Sequence, residues 1–205
     1  MEARSDNQNH SNKDHVAASL SERAVARINL IKARYPNPKS AVMSALYIAQ
    51  EELGVINEGA IHWVSQQLDI PPVHVMEVAT FYTMYYKKPV GKYHFQVCRT
   101  LSCSLRGAKD ITAFLENKFG LSAHEVSADG MWSFEEVECL GSCGSAPLCQ
   151  INDRYFENLT IDKLDKLLKE IAEEQPDLRL STVNDQIGDG LKQYSKSEIL
   201  PGQKV

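Results

Sequence analysis

Five cysteines carry most of the chemistry that this 205-residue sequence offers. Four of them form two spaced pairs, Cys98 with Cys103 and Cys139 with Cys143, and the fifth is Cys149. No cysteine precedes Cys98, so all five fall within about one quarter of the chain. Thiolates are preferred ligands of soft metals and of iron–sulfur clusters. The clustering therefore predicts a metal site or redox chemistry.

The spacing of the paired cysteines suits an iron–sulfur cluster. The pairs read C-x4-C and C-x3-C, with 35 residues between them, and each follows directly on a predicted strand. Two strand ends at the same edge of a sheet would bring four thiolates together. A [2Fe–2S] cluster takes two thiolates at each iron, so one pair per iron fits two short loops. Glycines in the second loop, such as Gly141, permit tight bends whose backbone N–H groups can point at sulfur.

Three other uses of the cysteines compete with this one, and the spacing leaves two of them open. Structural zinc also takes four thiolates, although its cysteine pairs are most often C-x2-C. A thioredoxin-type dithiol needs C-x-x-C, which is absent. Unligated cysteines can pack as small hydrophobic residues. We predict this last role for Cys149, which lies in an apolar strand after Pro147.

The first part of the chain, residues 19–88, is predicted to be a helical bundle. Residues 1–18 are polar and are predicted to be a disordered tail. A capping-box pattern places Ser19 at the N-cap of the first helix and Glu22 three residues later. Apolar residues at helical spacing predict further helices near residues 40–53, 59–68 and 73–85.

The second part, residues 89–175, is predicted to be an α/β sandwich of thioredoxin-like size. One predicted strand leads into Cys98 and a second, which begins at Trp132, leads into Cys139. We assign Trp132 to packing beside the second cysteine loop. Residues 176–205 are predicted to be a C-terminal tail. The remaining predicted elements are a helix over residues 107–119, a hairpin over 148–156 and a last helix after Thr160.

Composition excludes several classes of function. The net charge is −5, which argues against a broad nucleic-acid surface, because such a surface needs clustered Lys and Arg. No apolar run is long enough to insert into a membrane, and the polar start resembles no secretory signal. The chain has no G-x-G-x-x-G fingerprint after a strand and no obvious nucleophile–base pair. We therefore expect it to hold neither NADH nor flavin by itself, and to lack a complete active site.

Several segments together resemble a known family. They are the run EVATFYTM at residues 77–84, the stretch over residues 97–103, and CLGSC at residues 139–143 followed by Ala146 and Pro147. From about residue 21 to about residue 173, the chain resembles the thioredoxin-like [2Fe–2S] ferredoxin family. That family supplies the small iron–sulfur subunit of NADH:quinone oxidoreductase, called the E-type or 24 kDa subunit. The implied fold is a helical bundle followed by a thioredoxin-like [2Fe–2S] domain.

The resemblance implies a ligand set, partners and a role. Cys98, Cys103, Cys139 and Cys143 would hold one [2Fe–2S] cluster, and no residue would be catalytic. FMN and NADH are expected on a partner flavoprotein of the F type, with which the cluster exchanges single electrons during NADH oxidation. A large iron–sulfur subunit of the G type is the second expected partner. The expected place is cytoplasmic, in a peripheral arm on the cytoplasmic face of the inner membrane.

Other interpretations stay open beside this one. The same module resembles the small subunits of NAD(P)-linked hydrogenases and NAD-dependent formate dehydrogenases. A non-redox scaffold with zinc or an empty site is an alternative of a different class. Arg99 places a cation beside a proposed ligand, where it would favour the reduced, more negative cluster. Residues 81–86 form either a packing surface for a neighbouring subunit or part of the helical core.

Overall fold

The computed structural model describes residues 20–179, so the predicted tail over residues 1–18 and all but the first four residues of the predicted tail over residues 176–205 lie outside the described part. The chain has α/β architecture, which confirms the predicted fold class. It divides into two compact units between Lys88 and Pro89. The helices are α1 (Glu22–Lys32), α2 (Val42–Leu53), α3 (Glu58–Leu68), α4 (Pro72–Phe81), α5 (Leu101–Leu105), α6 (Ala108–Phe119) and α7 (Ile161–Glu174). The strands are β1 (Tyr93–Cys98), β2 (Trp132–Val137), β3 (Cys149–Ile151) and β4 (Arg154–Phe156).

The first unit consists of α1 to α4 around an aliphatic core. Ile28, Leu46 and Leu68 are fully buried there, because apolar residues at helical spacing give each helix one inward stripe. The N-cap of α1 is Ser21, whose hydroxyl accepts a hydrogen bond from the Ala24 amide at 3.2 Å. The predicted capping box at Ser19 is therefore wrong by two residues.

Helix α4 ends earlier than its apolar pattern predicts. It stops at Phe81, and Tyr82 has extended backbone angles, whereas the sequence predicts helix as far as residue 85. The reason is tertiary packing around Tyr85, which is 1% exposed and donates a hydrogen bond to the Met43 carbonyl at 3.0 Å. The chain leaves the helix to place this ring in the core.

The second unit is built on a mixed four-stranded sheet with the order β2-β1-β3-β4. Strands β1 and β2 are parallel, while β3 pairs antiparallel with both β1 and β4. Parallel neighbours need a crossover connection, and α5 and α6 provide it between β1 and β2. Helix α6 packs on β1 and β2 and also contacts α7.

The core of this unit lies between the sheet and these helices. Phe95 and Phe134 from the sheet, with Leu115 and Leu164 from the helices, are completely buried. Leu178 is also fully buried, although it follows the predicted domain end at residue 175. The Leu178 carbonyl accepts a hydrogen bond from the Asp153 amide at 3.2 Å. The chain immediately after α7 thus belongs to this core.

Trp132 does not lie where the sequence pattern predicts it. It begins β2, whereas the second cysteine loop follows the far end of that strand. Six residues of strand span roughly 20 Å, so the indole cannot pack beside the loop. Instead its ring stacks on Phe119, with centroids 5.1 Å apart. Among residues 20–179, no helix is long and apolar enough to cross a membrane.

Candidate metal centre

The two cysteine pairs start from the same edge of the sheet. In the register of the parallel strands, Cys98 at the end of β1 lies opposite Val137 at the end of β2. Cys139 follows Val137 by two residues. Because parallel strands run in the same direction, their carboxyl ends meet at one edge. The first cysteine loop, residues 98–103, begins at the last residue of β1, and the second cysteine loop, residues 139–147, follows β2.

The first cysteine loop buries both of its thiols. Cys98 and Cys103 are each 1% exposed. Cys103 lies on α5, a five-residue helix that was not predicted from the sequence. The same helix leaves Leu101 74% and Leu105 77% exposed. The short helix thus turns a cysteine inward and two leucines outward, the reverse of an ordinary amphipathic helix.

The second cysteine loop leaves its paired thiols exposed. The Sγ atoms of Cys139 and Cys143 lie 3.8 Å apart. Two thiolates bound to one tetrahedral metal ion at about 2.3 Å are separated by about the same distance. The spacing of this pair therefore matches two ligands of one metal ion.

A backbone amide points at one of the exposed sulfurs. The Gly141 N–H donates to Cys139 Sγ with 3.4 Å between nitrogen and sulfur. The φ angle of Gly141 is +82°, in the left-handed region that residues with a Cβ rarely adopt. This confirms the expectation that glycine in the second loop directs an N–H group at sulfur.

Thr100 connects the two loops, a role that was not predicted from the sequence. It is the N-cap residue of α5, yet its side chain makes no capping hydrogen bond. Its Oγ1 lies 3.2 Å from Cys98 Sγ instead, and the hydroxyl also hydrogen-bonds Cys139. The first cysteine loop contains two hydroxyl residues, Thr100 and Ser102, and their spacing does not reveal which one faces sulfur.

These contacts favour the thiolate form of two cysteines. Burial would raise the pKa of Cys98, but hydrogen bonds from the Thr100 side chain and from the backbone of Leu140 and Thr100 more than offset it, so the pKa is lowered. The pKa of Cys139 is also lowered, first by the Gly141 amide and then by the Thr100 hydroxyl. Thiolates are the metal-binding form of cysteine.

The other two buried cysteines behave differently. Burial raises the pKa of Cys103, and the nearby thiols of Cys98 and Cys143 raise it further. Cys149 is completely buried on β3, and burial alone raises the pKa of its thiol to about 12. The predicted buried position of Cys149 is confirmed.

The two thiol pairs match the ligand set of a [2Fe–2S] cluster in number. Within residues 20–179, no group of three or more His, Cys, Asp or Glu side chains is arranged around a single point as metal ligands. Each iron of a [2Fe–2S] cluster takes only two thiolates from the protein. Two neighbouring thiol pairs, with hydrogen-bond donors aimed at sulfur, therefore fit such a cluster.

Arg99 is not the isolated cation that its place in the sequence suggests. Its guanidinium pairs with the carboxylate of Glu138, with 2.5 Å between Nη2 and Oε1. Both side chains are more than half exposed. The hydrogen bonds and the charge of Glu138 raise the pKa of Arg99. The positive charge beside Cys98 is thus compensated locally.

Residues 81–86 were predicted to form either a surface for a neighbouring subunit or part of the helical core. The structure has exposed and buried residues in this segment. Phe81 is 78% exposed and its ring meets that of Tyr82 edge-on, with 4.9 Å between centroids. Tyr85 belongs to the core of the helical unit. His94 is buried, and its ring nitrogens lie 2.8 Å from Ser133 Oγ and 3.2 Å from Glu135 Oε1.

Similar proteins are known from sequence. The profile of the thioredoxin-like [2Fe-2S] ferredoxin family matches residues 28–172. The E subunit of the NADH-quinone oxidoreductase of Rickettsia conorii is 43% identical over 141 residues, which cover 67% of this chain and 84% of that protein. The E 2 subunit of the NADH-quinone oxidoreductase of Rhizobium meliloti is 41% identical over 142 residues, with coverages of 69% and 84%.

A solved structure shares the fold. The crystal structure of an NAD+-reducing [NiFe]-hydrogenase in the air-oxidized state aligns with 66% of this chain, with a TM-score of 0.57 and 22% sequence identity. This chain corresponds to 23% of that hydrogenase chain, so the likeness concerns the fold alone. The family profile and the sequence relatives agree. The chain belongs to the thioredoxin-like [2Fe–2S] ferredoxin family, together with the E subunits of NADH-quinone oxidoreductases.

Proposed function

We propose that this chain is the iron–sulfur electron-transfer subunit of an NADH:quinone oxidoreductase. Cys98, Cys103, Cys139 and Cys143 hold one [2Fe–2S] cluster in this proposal. The observation that carries it is the meeting of two thiol pairs at the ends of parallel strands, with donors directed at Cys98 and Cys139. The chain is more than 40% identical to E subunits over most of their length, which supports its assignment to an NADH:quinone oxidoreductase.

The chemistry of the bound cluster is a reversible change of one electron. The chain's own residues hold and tune it. Cys98 and Cys103 provide buried ligands, whereas Cys139 and Cys143 lie on the surface, where a redox partner can approach. The Thr100 hydroxyl and the Gly141 amide donate to the sulfurs, and such hydrogen bonds stabilise negative charge on a cluster. No side chain needs to act as an acid or base.

The proposal places NADH and FMN on a partner flavoprotein of the F type. The chain has no dinucleotide fingerprint of its own. A flavin accepts the two electrons of a hydride and can release them singly, so a one-electron centre beside it is chemically useful. A G-type iron–sulfur subunit is the second partner, in a peripheral arm on the cytoplasmic face of the membrane.

Reduction by NADH tests this function directly. The full chain, loaded with its cluster, is mixed anaerobically with NADH, either alone or with its flavoprotein partner, and the reduced cluster is quantified by EPR. We expect reduction only when the flavoprotein is present, because the sequence contains no dinucleotide fingerprint. The proposal fails if NADH and the partner leave oxidised a cluster whose midpoint potential lies above that of NADH, or if NADH reduces the chain alone equally fast.

A further inference from the structure

Residues in β4 and directly after it hold the second cysteine loop from outside that loop. Ser142 lies between the paired cysteines of that loop, and its hydroxyl donates to Oε1 of Glu157. The Ser145 hydroxyl donates to the same oxygen at 2.6 Å. The two hydroxyl oxygens are themselves 2.8 Å apart. One carboxylate oxygen thus accepts hydrogen bonds from two serines of the second cysteine loop, which lie 15 and 12 residues before it in sequence.

Two more hydrogen bonds tie the same segments together. The Tyr155 hydroxyl donates to the Leu140 carbonyl at 2.7 Å. The Asn158 amide donates to the Ser145 carbonyl, also at 2.7 Å. The loop is therefore held beside Cys139 and again beyond Cys143. A loop with several glycines and serines is costly to order, so fixed partners are needed to keep its cysteines at a set separation.

We infer that Glu157 is a positioning residue for the cluster-binding loop, and this inference rests on the function proposed above. Through Ser142 and Ser145 it fixes the backbone that carries Cys139 and Cys143 on either side of Ser142. Its effect on the two cysteines passes through these serines. Outer groups that orient metal ligands commonly control how firmly the metal is held.

Two substitutions at Glu157 separate this positioning from a simple effect of charge. Glu157→Gln removes the charge but keeps an oxygen that accepts both hydroxyl groups, whereas Glu157→Ala removes both. If Glu157 acted only through its charge, both substitutions would affect the cluster to the same extent. Positioning predicts that the Gln variant behaves like the unmodified protein and the Ala variant does not. Glu116→Ala, at an exposed carboxylate on α6, is the matched control.

The first measurement is the rate at which an iron chelator removes the cluster from the full chain. We expect Glu157→Ala to release iron roughly tenfold faster, the scale set by losing hydrogen bonds to a charged acceptor. Ser142→Ala should speed iron release by a smaller factor. In the double variant, the gain in rate should be smaller than the two single effects combined, because both substitutions remove the same contact. Equal release rates in the Ala and Gln variants, or an unchanged rate in the Ala variant, would overturn the inference.

Amide hydrogen exchange on the cluster-free chain gives a readout that does not depend on the proposed function. Glu157→Ala should lower the protection of amides over residues 140–145, and Glu157→Gln should retain it. Amides of α7 serve as the internal control for global folding. Unchanged protection in the Ala variant contradicts the positioning role. Absence of a cluster in the unmodified protein would instead contradict the proposed function and leave the exchange result to decide about Glu157.

Discussion

The ion pair of Arg99 and Glu138 joins the two cysteine loops across the edge of the sheet. Arg99 immediately follows Cys98, and Glu138 immediately precedes Cys139. The guanidinium Nη2 lies 2.5 Å from the carboxylate Oε1. Two charges of opposite sign therefore lie beside Cys98 and Cys139, the proposed ligands, and they largely cancel in their effect on a cluster.

Breaking this pair should shift the midpoint potential of the cluster in a direction set by the charge that remains. Glu138→Gln leaves the cation of Arg99 and should raise the potential, whereas Arg99→Gln leaves the anion and should lower it. Redox titration followed by EPR measures both shifts. They should shrink at high salt because the groups are exposed. Asp165→Asn, in an ion pair on α7, is the control with no expected shift. Shifts of the same sign in both variants would contradict this account.

Substitution of single cysteines tests the ligand assignment. Cys143→Ser should destroy or distort the cluster, because it removes one of two thiolates at an iron. Cys149→Ser should leave the visible and EPR spectra intact, although a hydroxyl in its buried site will lower stability. Cys149→Ala checks the same point without that hydroxyl. Iron content per chain is the measurement. A colourless Cys149→Ser protein beside a normally coloured Cys143→Ser protein would show that the assignment is wrong.

The Thr100 hydroxyl should raise the midpoint potential of the cluster. Hydrogen bonds to ligand sulfur favour the reduced state, which carries more negative charge. Thr100→Val keeps the shape of the side chain and removes the hydroxyl, so its potential should be more negative. Thr100→Ser should restore the original potential, and Thr112→Val on α6 should leave it unchanged. Equal potentials in the Val and Ser variants would exclude a role for this hydroxyl.

The buried thiol of Cys149 predicts a loss of stability at alkaline pH. Its pKa rises from 9.0 to about 12 on folding, so between these values the unfolded chain releases a proton that the folded chain retains. The free energy of unfolding should therefore fall as pH rises, by about 1.4 kcal/mol per pH unit from this group. The contribution is complete below about pH 9 and is lost by about pH 12.

Comparison with Cys149→Ala isolates that contribution. Urea unfolding at several pH values should show that the free energy of unfolding falls more steeply with pH for the unmodified chain than for the variant. The cavity that alanine leaves lowers the stability of the variant at every pH and does not change this slope. Other alkaline groups, such as Tyr85, titrate in both proteins and cancel in the difference. Parallel curves for the two proteins would show that Cys149 does not titrate in this way.

Much of the site followed from local pattern. The strands that lead to Cys98 and Cys139 were predicted from sequence and are present, and a glycine stands where Gly141 turns its amide to sulfur. The apolar setting of Cys149 likewise indicated burial. Each of these depends on residues close together in sequence, where composition and spacing carry the information.

The features that sequence missed depend on packing between distant residues. Helix α5 is too short to show a period, and its exposed leucines contradict the usual amphipathic pattern. The end of α4 is set by the burial of Tyr85. Glu157 lies outside every motif, and only the pairing of β3 with β4 brings it to the second cysteine loop.

The presence of the cluster itself is the most direct test of the central claim. The purified full chain is examined anaerobically by visible absorption and by EPR, before and after reduction with dithionite. The account predicts two irons per chain, an absorption that bleaches on reduction, and a rhombic one-electron EPR signal that appears with it. A colourless, EPR-silent chain with one zinc ion bound would contradict it and leave a scaffold instead of an electron carrier.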